Sequence, residues 1–138
     1  MKIRNIIAII VGVIVGIIII IIGEALVHIV NPLPSNIDIE DTEALKAHVA
    51  NSPFSLHLLI LLNYALACFV GGLIASSIAI DKKMNQAMSL GGIFMGVGMF
   101  SLITLHPLWV TISSVFIFLP FAYLGGMMSV KIAKKKKL

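Results

Sequence analysis

The sequence predicts an all-α integral membrane protein, a four-helix bundle built from two parallel-repeat hairpins with both termini inside. Three observations predict it. Of 138 residues, 59% are hydrophobic and 12% charged, whereas a soluble domain carries roughly a quarter charged residues. Four long apolar runs occupy about residues 5–30, 54–80, 84–106 and 108–130, and each reaches the ~20 residues of helix that a hydrocarbon core requires. The positive charges are also lopsided. With both termini inside, Lys2, Arg4, Lys82, Lys83, Lys131 and Lys134 to Lys137 share the inner side, leaving only Lys46 outside. By the positive-inside rule that side is the cytoplasm. Most of the length lies in spanning segments, so residues 1–138 form a single membrane domain.

The first run, Ile6 to Val30, is dominated by isoleucine. Isoleucine favours strands, but an open strand leaves its backbone unsatisfied in lipid, so helix is predicted. Lys2 and Arg4 resemble the start of a signal peptide. The apolar stretch nevertheless exceeds the usual 7 to 15 residues and no A-x-A site follows, so a retained anchor is expected. Asn31-Pro32-Leu33-Pro34 ends the helix, because proline fixes φ and removes a donor. The outer loop, residues 31–53, holds Asp38, Glu40, Asp41 and Glu43 against Lys46. Within it Asp41 can cap a short amphipathic helix over about residues 42–50, with Glu43 in the first turn. Leu45 and Val49 share one face of that helix, turned to the bilayer or to the bundle. Ser52-Pro53 opens the second span, Asp81-Lys82-Lys83 closes it, and His106-Pro107 makes the turn between the third and fourth. Pro120 is expected to kink the fourth, and Trp109 reads as an interface anchor.

The two halves resemble each other. Phe69 to Ala79 lines up with Tyr123 to Ala133, Gly12 to Gly16 with Gly92 to Gly96, and His28 with Pro32 answers His106 with Pro107. A duplication of one hairpin, about an axis along the membrane normal, accounts for this pattern. Small residues recur in every span. Gly12, Gly16, Gly71, Gly72, Gly92, Gly96, Gly125 and Gly126 are the glycines predicted to pack helices together, because helices in lipid associate through close approach. Asn63 and Tyr64 are the polar residues deeper in the second span, read as interhelical hydrogen-bonding groups.

All four histidines fall in the outer half of the topology. Glu24 sits roughly 6–9 Å below the outer boundary at 1.5 Å of rise per residue. It shares a face with His28, one turn on. A carboxylate at that depth costs energy and should face the bundle interior with a partner. Glu24, His28 and His106 are therefore the candidate metal or proton site, since imidazole suits zinc and copper and titrates near neutral pH. A purely structural Glu–His pair is the simpler reading of the same residues, and no cofactor is expected from it. The net charge of +4 belongs to the membrane ends rather than to a nucleic-acid surface. The single cysteine, Cys68, excludes an intrachain disulfide. No nucleophile–base pair, phosphate loop or paired CxxC occurs, so no enzymatic reaction is predicted.

The run Glu24-x-x-x-His28, Pro32-x-Pro34, Asp38, Asp41 and Glu43-Ala44-Leu45-Lys46-Ala47 resembles small bacterial four-span membrane proteins of unknown function. Gly71-Gly72, His106-Pro107-Leu108-Trp109, Pro120 and Gly125-Gly126 fit the same pattern, although this chain is richer in isoleucine and lysine. The resemblance covers most of the chain. It implies a bacterial cytoplasmic membrane and no assigned activity. The leading expectation is a non-enzymatic protein that assembles with itself or with a larger membrane complex in the lipid bilayer. The alternative is a transporter or channel component that handles protons or a divalent cation. The topology is tested by single cysteines in intact cells. Leu45→Cys should label from outside, and Lys83→Cys and Lys135→Cys should not.

Overall fold

The computed structural model describes residues 2–137. Its helices are α1 (Lys2–Val30), α2 (Thr42–Ala50), α3 (Phe54–Ile78), α4 (Lys83–Leu105) and α5 (Leu108–Lys135). Four of them, α1, α3, α4 and α5, are long and apolar enough to cross a membrane. At 1.5 Å per residue even α4 is roughly 35 Å long, more than the ~30 Å of a hydrocarbon core. Each long helix runs opposite to the next. One end of the bundle therefore collects Lys2, Arg4, Lys82, Lys83 and the lysines of 131–137, while the other collects the four histidines.

Helix α3 is the centre, with α1, α4 and α5 all packed against it. It buries small residues on more than one side, including Ala67, Cys68, Gly71, Gly72, Ala75 and Ser76. Reciprocal close approach joins it to α1. A Cβ added at Gly12 would stand 2.7 Å from the Gly71 carbonyl oxygen, and one at Gly71 would stand 2.9 Å from that of Gly12. On the α5 side a Cβ at Gly72 would meet the Ala122 carbonyl at 2.6 Å, and one at Gly125 would run into the backbone of Phe69 and Leu73. Two hydroxyl contacts complete this seam: Ser76 donates to the Gly126 carbonyl at 3.3 Å, and Ser77 and Ser129 share a hydrogen bond of 2.8 Å. The larger side chains Leu90, Phe94, Leu102, Val110 and Phe118 fill the core, with Leu90 and Phe94 lying against Gly12 and Gly16 of α1.

The outer flank of α1 shows the complement. Ala8, Gly12 and Gly16 are buried, whereas Ile6, Ile10, Ile14, Ile17 and Ile21 are exposed. An apolar surface of that extent is suited to hydrocarbon, not to water. At the lysine end α1 is tied to the end of α3. Arg4 Nε donates to the Ile78 carbonyl at 3.0 Å, and Asn5 Oδ1 accepts from the Ile80 backbone N–H at 3.2 Å. Both bonds satisfy backbone groups left over where α3 stops. Lys82 then turns the chain with φ 47°, the left-handed conformation, before α4 begins.

Two expectations are corrected. Gly92 and Gly96 do not pack inside the bundle, since among the described residues no atom beyond the local helix backbone lies within 4 Å of a Cβ built at either. The α4 glycines that meet neighbours are Gly91, against Ala122 and Phe118, and Gly98, against the Phe118 ring. A helix has one inward stripe, and Leu90, Gly91 and Phe94 occupy it, which rotates positions 92 and 96 outwards. Nor do the halves pack alike: α4 rests on α3, but α1 is not packed against α5. Helix α5 continues through Pro120 and ends five residues beyond residue 130.

These contacts set opposite signs for two similar substitutions. Gly125→Ala should lower stability by about 1–3 kcal/mol, because backbone must move to admit the methyl group. In a detergent that holds the chain monomeric, Gly96→Ala should be neutral or stabilising by up to about 1 kcal/mol, the helix-propensity gain. Unfolding in mild detergent, followed by circular dichroism, measures both.

Candidate functional site

The site forms where the ends of α1, α3 and α4 meet α2, with Trp109 of α5 beside it. Asn63 on α3 reaches across to α1 and donates to the Ile20 carbonyl at 3.1 Å. Gly23 makes the approach possible, since any Cβ there would overlap the Asn63 amide. The rotation of α1 is fixed by this lock. One residue beyond Gly23, Glu24 faces Tyr64, whose hydroxyl donates to Glu24 Oε1 at 3.2 Å. Asn63 and Tyr64 thus both bond across helices to α1.

Above that bond lies a cavity of about 240 Å³, large enough for several water molecules. Its wall includes all four histidines, together with Glu24, Tyr64, Asn31, Ser52 and Ser101. Most of the remaining lining is aliphatic, a few polar groups on an apolar wall, which is the usual composition of a small-ligand site. Helix α2 closes one side. Asp41 caps it by accepting from the Ala44 N–H at 3.1 Å, and Leu45 and Val49 turn to the cavity rather than away from the bundle. Asn31 fastens the loop by donating to Ser52 Oγ at 3.0 Å, with His48 Nε2 at 3.5 Å from the same amide.

His57 is the deepest histidine, 3% exposed in the first turn of α3. Its Nδ1 lies 3.2 Å from the Pro53 carbonyl. A carbonyl only accepts, so Nδ1 carries the proton and the neutral ring presents a bare lone pair at Nε2. His106 stands beside it, ring centroids 6.3 Å apart with planes at 84°. Trp109 covers His57 at 5.5 Å and stacks on Phe54 at 5.2 Å. The ring expected at a membrane interface is therefore also the roof of a histidine. His106 lies in the turn between α4 and α5, outside both helices. Burial, and then the neighbouring His57, push its imidazole down to about 4. Three buried side-chain atoms have no hydrogen-bond partner among the described residues: His57 Nε2, His106 Nδ1 and Thr111 Oγ1. All three stand at the histidine end.

Of the expected pairing of Glu24 with His28 or His106, the direct hydrogen bond is not formed. The hydrogen-bond partner of Glu24 is Tyr64; the two histidines share its cavity without such a bond. Glu24 and His28 are both exposed along the flank of α1. Among the described residues, no three His, Cys, Asp or Glu side chains converge as metal ligands. His57 and His48 were not among the residues singled out from sequence. The available signal was the placement of every histidine at one end, and the seven-residue spacing that puts His57 above Tyr64 on one face of α3.

No family model matches the chain, and no curated protein or solved structure matches it. The Glu24–Tyr64 bond predicts a graded response. Tyr64→Phe should lower stability by about 0.5–1.5 kcal/mol, and Glu24→Gln should cost less because an amide oxygen still accepts from Tyr64. Reversible unfolding in detergent ranks the two, and a Glu24→Gln loss larger than that of Tyr64→Phe would contradict the assignment.

Proposed function

We propose that the protein is a non-enzymatic component of the bacterial cytoplasmic membrane that handles protons or a divalent cation at an outward-facing cavity. The observation that carries this reading is that all four histidines line one cavity with Glu24 and Tyr64. Histidine is the side chain whose unperturbed charge change falls near physiological pH, and it is the commonest metal ligand. Ionisable groups within a membrane-spanning bundle are costly and mark ion or proton paths. The lysine-rich end faces the cytoplasm on this reading, by the positive-inside rule, which turns the cavity outwards. The resemblance to small bacterial four-span proteins supports the location.

A second observation favours assembly. Gly92 and Gly96 stand four apart on the outside of α4 and meet no other helix among the described residues. A stripe of that kind fits the close approach of another helix in lipid, from a second copy or from a larger complex. Four spans are few for a complete pathway, so the two readings belong together.

Proteoliposomes carrying an internal pH dye or zinc dye test the first reading. The protein should raise proton or zinc flux above that of protein-free vesicles, and Glu24→Gln should reduce the increment about tenfold. Flux equal to empty vesicles for both ions would overturn it. The same preparation in mild detergent should run as an oligomer, and a strictly monomeric particle would count against assembly.

A further inference from the structure

The cavity offers lone pairs and no fixed positive charge: one carboxylate, Glu24, lines it, and no lysine or arginine does. Such a lining attracts a cation and repels an anion. Imidazole nitrogens select zinc, copper and their neighbours, whereas magnesium and calcium prefer oxygen. We propose that His57 and His106 together hold a transition-metal ion of the zinc or copper class at the wall of this cavity, the ion's remaining side open to cavity water. This rests on the outward cation-site reading above and names its ion and its ligands. They are not the Glu24 and His28 expected from sequence, of which the first is engaged by Tyr64 and the second is exposed.

Three features support it. First, His57 is oriented as metal-bound histidines are: its far nitrogen donates to a backbone carbonyl, that of Pro53, which fixes the tautomer and leaves Nε2 free to ligate. Second, His57 Nε2 and His106 Nδ1 are both buried and unpartnered. A buried nitrogen left without a partner is costly, and solvent does not reach either one. A bare divalent ion is smaller than water. Third, the two rings stand too far apart for a direct bond and within the span that one ion with an open ligand angle can bridge. A direct N–H···N bond of about 3 Å between facing nitrogens brings imidazole centroids to roughly 5 Å. A shared ion with two metal–nitrogen bonds of about 2.0–2.1 Å sets them at about 5 Å when the nitrogen–metal–nitrogen angle is tetrahedral and at about 6.4 Å when it is linear. The observed separation is 6.3 Å.

The test uses the full chain in lipid nanodiscs, stripped of metal and dialysed against Zn(II), with Cu(I) in a parallel reducing arm. One ion per chain is expected in at least one arm. His57→Asn and His106→Asn should each weaken binding about tenfold or more, the scale of losing even an outer-shell partner. His28→Asn and His48→Asn should stay within about twofold. Size-exclusion and helical circular dichroism verify folding of each variant. X-ray absorption of the loaded wild-type chain gives an answer independent of any variant, expected as two nitrogen ligands at about 2.0 Å. No bound ion, an all-oxygen shell, or a loss that follows His28 or His48 instead would overturn the proposal. Flux that persists without metal binding would overturn it while leaving a proton-handling function in place, and absent flux with binding intact would do the reverse.

Discussion

The bundle depends on adjacent glycines at the waist of α3. Gly71 faces α1 and meets the Gly12 carbonyl; Gly72 faces α5 and meets that of Ala122. Between helices in a bilayer, burying one more isoleucine wins nothing, since lipid is equally apolar. Association must come from close packing and from the few polar bonds that packing permits. Two backbones that approach to carbonyl distance gain many dispersion contacts per turn, each small and together large. A side chain at either glycine separates α3 from a neighbour along its whole length. The alanine, serine and glycine content of α3 follows from this, as does its place in the middle.

With the waist fixed, the polar chemistry at the histidine end follows from rotation about each helix axis. Asn63 crosses to the Ile20 carbonyl through the gap that Gly23 leaves. That bond orients the last two turns of α1, bringing Glu24 to the hydroxyl of Tyr64. Glycine at 23 is thus a condition for the position of the carboxylate beside it. A similar economy holds at the opposite end, where Arg4 and Asn5 satisfy backbone groups at the close of α3. Each end of α1 is pinned by polar side chains reaching backbone groups, Arg4 and Asn5 at one end and Asn63 at the other, and the isoleucines between make no such demand.

The cavity is lined by groups far apart in the chain. His28 ends α1, His48 belongs to α2, His57 begins α3 and His106 follows α4. Short connections force this meeting: α3 starts four residues after α2 ends, and only His106 and Pro107 separate α4 from α5. Helix α2 serves as a wall rather than a bilayer float, because Leu45 and Val49 find apolar partners at the cavity. An apolar wall around a few convergent polar atoms raises the consequence of each unpaired one, since low dielectric strengthens made bonds and penalises missing ones. His57, roofed by Trp109 and tied to Pro53, feels that penalty most.

What the sequence by itself determined is the set of helices and their punctuation. Twenty-odd apolar residues in a row admit only helix once lipid is the solvent. Proline at 32, 34, 53 and 107 breaks the chain where φ and the missing donor require it. The clustering of histidines at one end was equally legible, since alternating helix direction sorts residues by depth without any knowledge of packing. Tertiary structure alone decided which way each helix turns. Four glycines recur around α4, and nothing local distinguishes Gly91, which packs on Ala122, from Gly92, which meets no other helix among the described residues. The apolar run is nearly uniform around the axis, so no hydrophobic face marks the inside; lipid and core are equally apolar. Only the shapes of neighbouring helices break that degeneracy. For the same reason Glu24 had several partners open to it in sequence and took Tyr64, the one that the Asn63–Gly23 lock brought within reach.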